Sequence, residues 1–146
     1  MNDLSQDSTP SWIFNGNQFF RGAPDDVTFI ESLAYNHKAE YKSFCEGLKS
    51  ITAPVVFGSG DVHLSEVMQI SEETIGYKSY EFTSSSMHSY TGAKPWANSL
   101  RLEGMACIEF NFMVIESKAI FKNNQHGLGI QIQAVGLAKK LYFLNT

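Results

Sequence analysis

The sequence predicts an α+β protein made mainly of antiparallel β-structure, in which a small curled sheet or barrel packs against one N-terminal amphipathic helix. Three patterns predict this class. Apolar residues recur at helical spacing over about residues 25–49. Apolar and polar residues alternate over 100–114. The alternation resumes over 128–134, after the turn-forming letters NNQHG.

Length and charge limit the classes of function. A chain of 146 residues predicts a single domain, here residues 11–146 after a flexible tail over 1–10, with the β-rich part over about 54–146. The net charge of -4 argues against binding of duplex DNA, which needs a broad basic surface. Single-strand binding needs only a local basic groove and stacking rings.

The start of the chain and its apolar runs predict a location. The first letters, MNDLSQDSTP, are polar and acidic, and no apolar run approaches the ~20 residues of a membrane span. We therefore expect a soluble cytoplasmic protein with no membrane partner, and the cytoplasm of a bacterial host cell fits this expectation. The sequence does not determine the oligomeric state, and a homo-oligomer is one of the alternatives.

The helix over about 25–49 has clear start and stop signals. Asp25 and Asp26 follow Pro24 where an N-cap and the positive dipole end favour acids, and Gly47 precedes the exit. Such a helix normally packs on a sheet. Its apolar face comprises Val27, Ile30, Ala34, His37, Tyr41, Phe44 and Leu48.

An aromatic segment precedes the helix. Asn15-Gly16 lies between two short aromatic runs, and this dipeptide favours a tight turn because both residues tolerate positive φ. The pattern predicts a hairpin of Trp12–Phe14 with Gln18–Phe20. Its four aromatic residues are either core or lid residues, or the anchor for a protein partner. These four are Trp12, Phe14, Phe19 and Phe20.

Five to seven antiparallel strands are expected after Pro54. PVVFGSG, DVHLSEVMQI and IGYKSYEF each predict a short strand, and residues 100–114 predict a long one with one face buried. Gly104 marks a bend in it, KAIFK either continues it past a bulge or forms its partner, and LGIQIQAVGLA returns beside it. Such an arrangement fits an oligonucleotide/oligosaccharide-binding (OB) barrel. The buried face would comprise Leu100, Leu102, Gly104, Ala106, Ile108, Phe110, Phe112 and Val114.

No motif for catalysis or for a cofactor is present. Asp61 and His63 offer two possible ligands on one strand face, and Glu66 could add a third only if the strand ended between them, so a metal site with three or four convergent ligands is not indicated. FGSGD lacks the Gly-Lys-Ser/Thr ending of a phosphate loop. We expect a non-enzyme without cofactor or metal. Cys45 on the helix and Cys107 on the long strand are expected to be free buried thiols.

Rings and cations are interleaved between residues 77 and 122. A single nucleic-acid strand uses this combination, because each base stacks on an aromatic face and Lys or Arg contacts the phosphates. The alternative is a set of core aromatics with ordinary surface lysines. The candidate stacking residues are Tyr77, Tyr80, Tyr90 and Trp96, and the candidate phosphate contacts are Lys78, Lys94, Arg101 and Lys122.

The C-terminal third also resembles a known family. The stretch SLRLEGMACIEFNFMVIESKAIFKNNQHGLGIQIQAVGLAKKLYF is similar to the late strands of phage-type single-stranded DNA-binding proteins with an OB fold. The likeness is one of pattern: an alternating apolar strand with a Gly break, a polar turn, then a strand of small and branched residues. It implies non-catalytic coating of exposed single strands.

Binding of single-stranded nucleic acid, with DNA favoured, is therefore the leading hypothesis. One alternative is a viral or host-modulating interaction subunit anchored by the aromatic hairpin. Another is a small-ligand barrel or an enzyme whose apolar strand faces line a cavity.

Overall fold

The structure, a computed structural model, describes residues 9–22, 31–89, 95–122, 125–136 and 144–145. The described part is rich in strands and contains few helical residues, which confirms the α+β class at this coarse level. The strands are β1 Ser11–Phe14, β2 Val55–Ser59, β3 Ser65–Ile70, β4 Ser79–Ser84, β5 Arg101–Cys107, β6 Asn111–Lys122, β7 Gln125–Gly136 and β8 Leu144–Asn145. The helices are α1 Leu33–Asn36, α2 Lys38–Lys49 and α3 Glu72–Ile75.

The larger sheet is mixed and has the strand order β1-β2-β4-β3-β5. Strands β1, β2 and β4 are parallel to one another, whereas β3 runs antiparallel to both of its neighbours. The predicted N-terminal hairpin is therefore wrong. Ser11–Phe14 pairs with β2 across the helical crossover, and Gln18 forms a parallel bridge with Ser32. A parallel pair requires such a long connection, and its distant partner cannot be read from local turn chemistry.

The predicted continuous helix is interrupted at His37, where φ is -130° and ψ is 60°. Backbone N–H groups of Leu33 and Ala34 donate to the carbonyls of Gln18 and Phe19, at 2.9 and 3.0 Å. Ser32 caps α1 by accepting from Tyr35 N at 3.1 Å. These hydrogen bonds to distant residues break the helix, although the apolar spacing of the segment favours a continuous one. The portion of the prediction over residues 25–30 lies outside the described residues.

The long strand predicted over 100–114 is two strands in two different sheets. β5 ends at Cys107, and β6 begins at Asn111 after a bend. Gly104 has φ of +72°, and the β3–β5 register shifts between Glu66 and Met68, so the expected bend at this glycine is confirmed. The prediction of a single buried face over residues 100–114 is wrong, because Phe110, Phe112 and Val114 are exposed. The bend at 108–110 changes which side chains face the core.

A second sheet, of order β6-β7-β8, is built on the predicted hairpin. β6 pairs with β7 in continuous antiparallel register from Asn111↔Gly136 to Lys122↔Gln125. KAIFK therefore belongs to β6 itself. Ile130 and Ile132 of β7 pack with Val56, Val67 and Phe82 on one face of the larger sheet. The smaller sheet thus covers this face.

Helix α2 covers the opposite face of the larger sheet. Its Tyr41, Phe44 and Leu48 pack on the sheet as predicted. The layers are helix, larger sheet and smaller sheet, with one apolar cluster at each interface. Members of the helix-side cluster include Phe19, Phe20, Cys45, Leu48, Val55, Phe57, Met68 and Ile70.

The described strands pair as these two sheets and do not close into one barrel among themselves. Cys45 in α2 and Cys107 in β5 are free and buried, as expected. None of the helices in the described segments has the length and apolar character needed to cross a membrane.

Candidate nucleic-acid interface

Four aromatic rings form a row across the larger sheet, on the face that also receives the smaller sheet. Trp12 and Phe14 project from the same side of β1, since residues two apart in a strand share a face. Their ring centroids are 5.7 Å apart and their planes differ by 12°. Trp12 contacts Phe82 of β4 at 5.7 Å, and Phe82 stacks with Tyr80 at 6.2 Å. We call Phe14, Trp12, Phe82 and Tyr80 the aromatic row.

Gly58 makes room for the open end of this row. Gly58 of β2 lies in register between Phe14 and Phe82. A Cβ atom at Gly58 would lie 2.4 Å from Cδ1 of Phe14, so the phenyl ring rests directly on the glycine backbone. Because β1 is an edge strand, the ring has no neighbouring strand beyond it among the described ones, and Phe14 is 72% exposed. The row therefore ends in a supported but solvent-facing ring.

A cation lies at the other end of the row. Lys78 Nζ is 5.6 Å from the centroid of the Tyr80 ring, within the range of a cation–π contact. Lys78 is exposed and Tyr80 is half-buried. The structure thus brings the predicted pair Lys78 and Tyr80 together with Trp12 and Phe14, which the sequence placed in a separate hairpin.

Tyr77 lies on the opposite side of the sheet from Tyr80. Its ring packs against the helix-side cluster, and burial raises the pKa of its hydroxyl to about 12. A base stacked on Tyr80 could not reach Tyr77 without crossing the sheet. Tyr77 is therefore separated from the aromatic row.

Trp96 and Arg101 belong to a second group, on the helix side. The Arg21 guanidinium lies 5.6 Å from the centroid of the Trp96 ring, and Arg101 Nη2 donates to Trp96 O at 2.6 Å. Arg101 Nε also donates to Glu66 Oε2 at 2.5 Å. The charge of Arg101 is thus neutralised by a buried carboxylate. Trp96 is 38% exposed.

A buried polar network beside this group was not predicted. Glu66 also accepts from Gln18 Nε2 at 2.6 Å and from Asn98 Nδ2 at 2.9 Å, and Gln18 Nε2 donates to Thr83 Oγ1 at 2.9 Å. The network ties the segment after β1 to strands β3, β4 and β5. In the sequence, Glu66 has the pattern of a solvent-facing strand residue beside Val67, and no signal there predicts its burial.

Glu81 is the second buried carboxylate. Its two oxygens accept from the backbone N–H groups of Phe19 and Phe20, at 2.8 and 3.1 Å. The pKa of Glu81 is raised to about 7, chiefly by burial and to a smaller extent by the nearby Glu66, while hydrogen bonds from Ser59 and the two backbone donors oppose the shift. Glu81 thus fixes the path of the chain where the Phe19 and Phe20 rings enter the core.

The remaining predicted residues are placed as follows. Tyr90 and Lys94 lie outside the described residues, and Lys122 closes β6 with its side chain outside the described part. Phe19 and Phe20 are buried, so only Trp12 and Phe14 of the four predicted partner-binding aromatics reach the surface. Across the described segments, no three His, Cys, Asp or Glu side chains are grouped as metal ligands.

A scan against protein-family models, a search of curated proteins and a search of solved structures each gave no significant match to this chain.

Proposed function

We propose that the protein binds single-stranded nucleic acid, with DNA favoured, by stacking bases on the aromatic row. Phe14 provides the main ring on which a base stacks, and Trp12 stacks on the other face of Phe14. Tyr80 provides a second ring for another base. Lys78 contacts a phosphate beside Tyr80. The single observation that carries the proposal is the Phe14 ring, held on Gly58 and stacked on Trp12 with most of its surface in water.

The energetics favour this use of the ring. An exposed phenylalanine forfeits about 2 kcal/mol of burial free energy. A base stacked on an aromatic side chain recovers about 1–3 kcal/mol, whatever the base, because every base has a π-face. Support by Trp12 and Gly58 limits the conformational freedom of the ring before binding. Less entropy is then lost when a base stacks on it.

The charges define which contacts matter most. Lys78 is the cation of the aromatic row, whereas Arg101 is engaged with Glu66. We assign the phosphate contact to Lys78, since Arg101 and Trp96 lie on the helix side of the sheet, opposite the aromatic row. Because a lysine–phosphate contact releases counterions, binding should weaken with added salt. An OB-like barrel is not required, since bases also stack on rings of an open sheet.

The test is binding of a fluorescently labelled oligo-dT, followed by anisotropy at low salt. Phe14→Ala and Tyr80→Ala should each weaken binding by about 5- to 150-fold, which corresponds to one lost stacking contact. Tyr35→Ala is the matched control, because Tyr35 is an exposed aromatic on α1, away from the aromatic row. It should bind like the unchanged protein.

Tryptophan fluorescence supplies an independent readout. Trp12 and Trp96 are the two tryptophans, so Trp96→Phe leaves Trp12 as the sole reporter. Quenching of Trp12 on addition of oligo-dT is expected if bases stack on the aromatic row. Failure of the unchanged protein to bind oligo-dT and oligo-U at low salt would refute the function. Binding that survives Phe14→Ala and Tyr80→Ala unchanged would refute the site.

A further inference from the structure

Among the described residues, one of the two edges of strand β6 has no partner strand over most of its length. In the smaller sheet β6 has β7 as its only neighbour among the described strands. At its start the other edge is contacted by the segment after β4, through a bridge between Asn111 and Ser86. No described strand pairs with that edge beyond Met113, and every residue from 116 to 121 is exposed. A long open edge of this kind is a template for strand pairing.

The hydrogen bonds at the start of β6 reveal which residues point toward this edge. Asn111 N donates to Ser86 O at 3.0 Å, and Met113 N donates to Ser84 Oγ at 3.0 Å, both on the side away from β7. Backbone groups alternate between the two edges of a strand. The N–H and C=O groups of Ile115, Ser117 and Ala119 therefore point toward the open edge as well.

The sequence of β6 is self-complementary in one antiparallel register. If two copies meet with Ser117 opposite Ser117, Glu116 of each lies opposite Lys118 of the other, and Val114 opposite Ile120. Centring the pair on Glu116 or on Lys118 instead places like charges face to face, which is unfavourable. Centring the pair on Ile115 places the apolar Val114 opposite the charged Glu116. Centring it on Ala119 places the charged Lys118 opposite the apolar Ile120. Only the register centred on Ser117 matches both charge and apolar character.

We propose that the protein forms a homodimer in which the β6 strands of two copies pair antiparallel across a two-fold axis at Ser117. The two smaller sheets then become one continuous sheet, of order β8-β7-β6-β6-β7-β8. Ser117 pairs with its counterpart, and Ile115 pairs with Ala119 in both directions, which together form about six backbone hydrogen bonds. Val114 and Ile120, 42% and 44% exposed in the single chain, cover each other. None of the pairing residues belongs to the aromatic row, although Ile115 packs in the same apolar cluster as Phe82.

Charge reversal tests the register. Analytical ultracentrifugation of the full chain at micromolar concentration should give twice the mass of the chain. Lys118→Glu places two glutamates opposite each other, and Glu116→Lys places two lysines opposite each other, so each variant alone should be monomeric. Mixing the two variants should restore dimers, because each opposed pair then joins a lysine to a glutamate. The double variant with both changes should also dimerise.

A backbone variant tests the edge itself. Ser117→Pro removes an N–H group that points to the open edge, a position where an edge strand tolerates proline. It should be monomeric and keep the circular dichroism spectrum of the unchanged protein, while Ser117→Thr should remain dimeric. A monomeric unchanged protein would overturn the proposal. A dimer that persists in both charge-reversal variants would overturn the register, and a dimer that persists in Ser117→Pro would overturn the use of this edge.

Discussion

Glu81 is expected to make the protein less stable as the pH rises from 5 to 8. Burial raises the pKa of its carboxyl from the ordinary value of 4.5 to about 7 in the folded protein. Below pH 4.5 the carboxyl is protonated in both the folded and the unfolded state. Between 4.5 and 7 the folded protein holds a proton that the unfolded chain has released. Each rise in pH therefore favours unfolding until the folded carboxyl has ionised as well.

The magnitude follows from the size of the shift. One pKa unit corresponds to about 1.4 kcal/mol, so the full effect approaches about 3 kcal/mol. Most of it, about 2 kcal/mol, should be lost between pH 5 and pH 8. That is a large share of the roughly 5–15 kcal/mol by which domains are usually stable.

Urea denaturation of the unchanged protein and of Glu81→Gln, at several pH values, isolates this contribution. The glutamine variant lacks the titrating group, while the other ionisable groups stay the same in both proteins. The difference in free energy of unfolding between the two proteins should therefore change by about 2 kcal/mol from pH 5 to pH 8, with the unchanged protein losing stability. A constant difference would refute the raised pKa. A change of opposite sign would mean that the donors Phe19 N and Phe20 N outweigh burial.

Two further substitutions test other parts of the structure. Gly58→Ala should displace the Phe14 ring, since the added methyl would lie 2.4 Å from Phe14 Cδ1. Oligo-dT binding should then weaken about as much as in Phe14→Ala. Anisotropy titrations identical to those of the unchanged protein would contradict this. Arg101→Met should lower the free energy of unfolding in urea by about 3–5 kcal/mol, because it leaves the carboxylate of Glu66 buried without its cation. The double variant Glu66→Gln with Arg101→Met should recover part of the lost free energy of unfolding, because the buried charge is removed as well. A loss below about 1 kcal/mol for Arg101→Met alone would contradict the stabilising role of the Arg101–Glu66 pair.

The sequence predicts the site only in part. Lys78 and Tyr80 are close in the chain, and their cation–π contact agrees with the interleaving of rings and cations. Trp12 and Phe14 stand out in the sequence as well, but as candidates for contact with a protein partner. Their place beside Tyr80 depends on β2 lying between β1 and β4. Two parallel pairings bring these strands together, and parallel partners distant in sequence leave no local signature.

Local chemistry determined the elements whose stabilising partners are near in sequence. Helix α2 follows from the spacing of Tyr41, Phe44 and Leu48, and the β6–β7 hairpin follows from alternation around a polar turn. The tertiary structure alone decided the helix break at His37, the split of the long strand and the burial of Glu66 and Glu81. In each case contacts with distant residues replaced or redirected local hydrogen bonds. A sequence pattern shows which side chains prefer burial, but not which remote backbone groups will complete their hydrogen bonds.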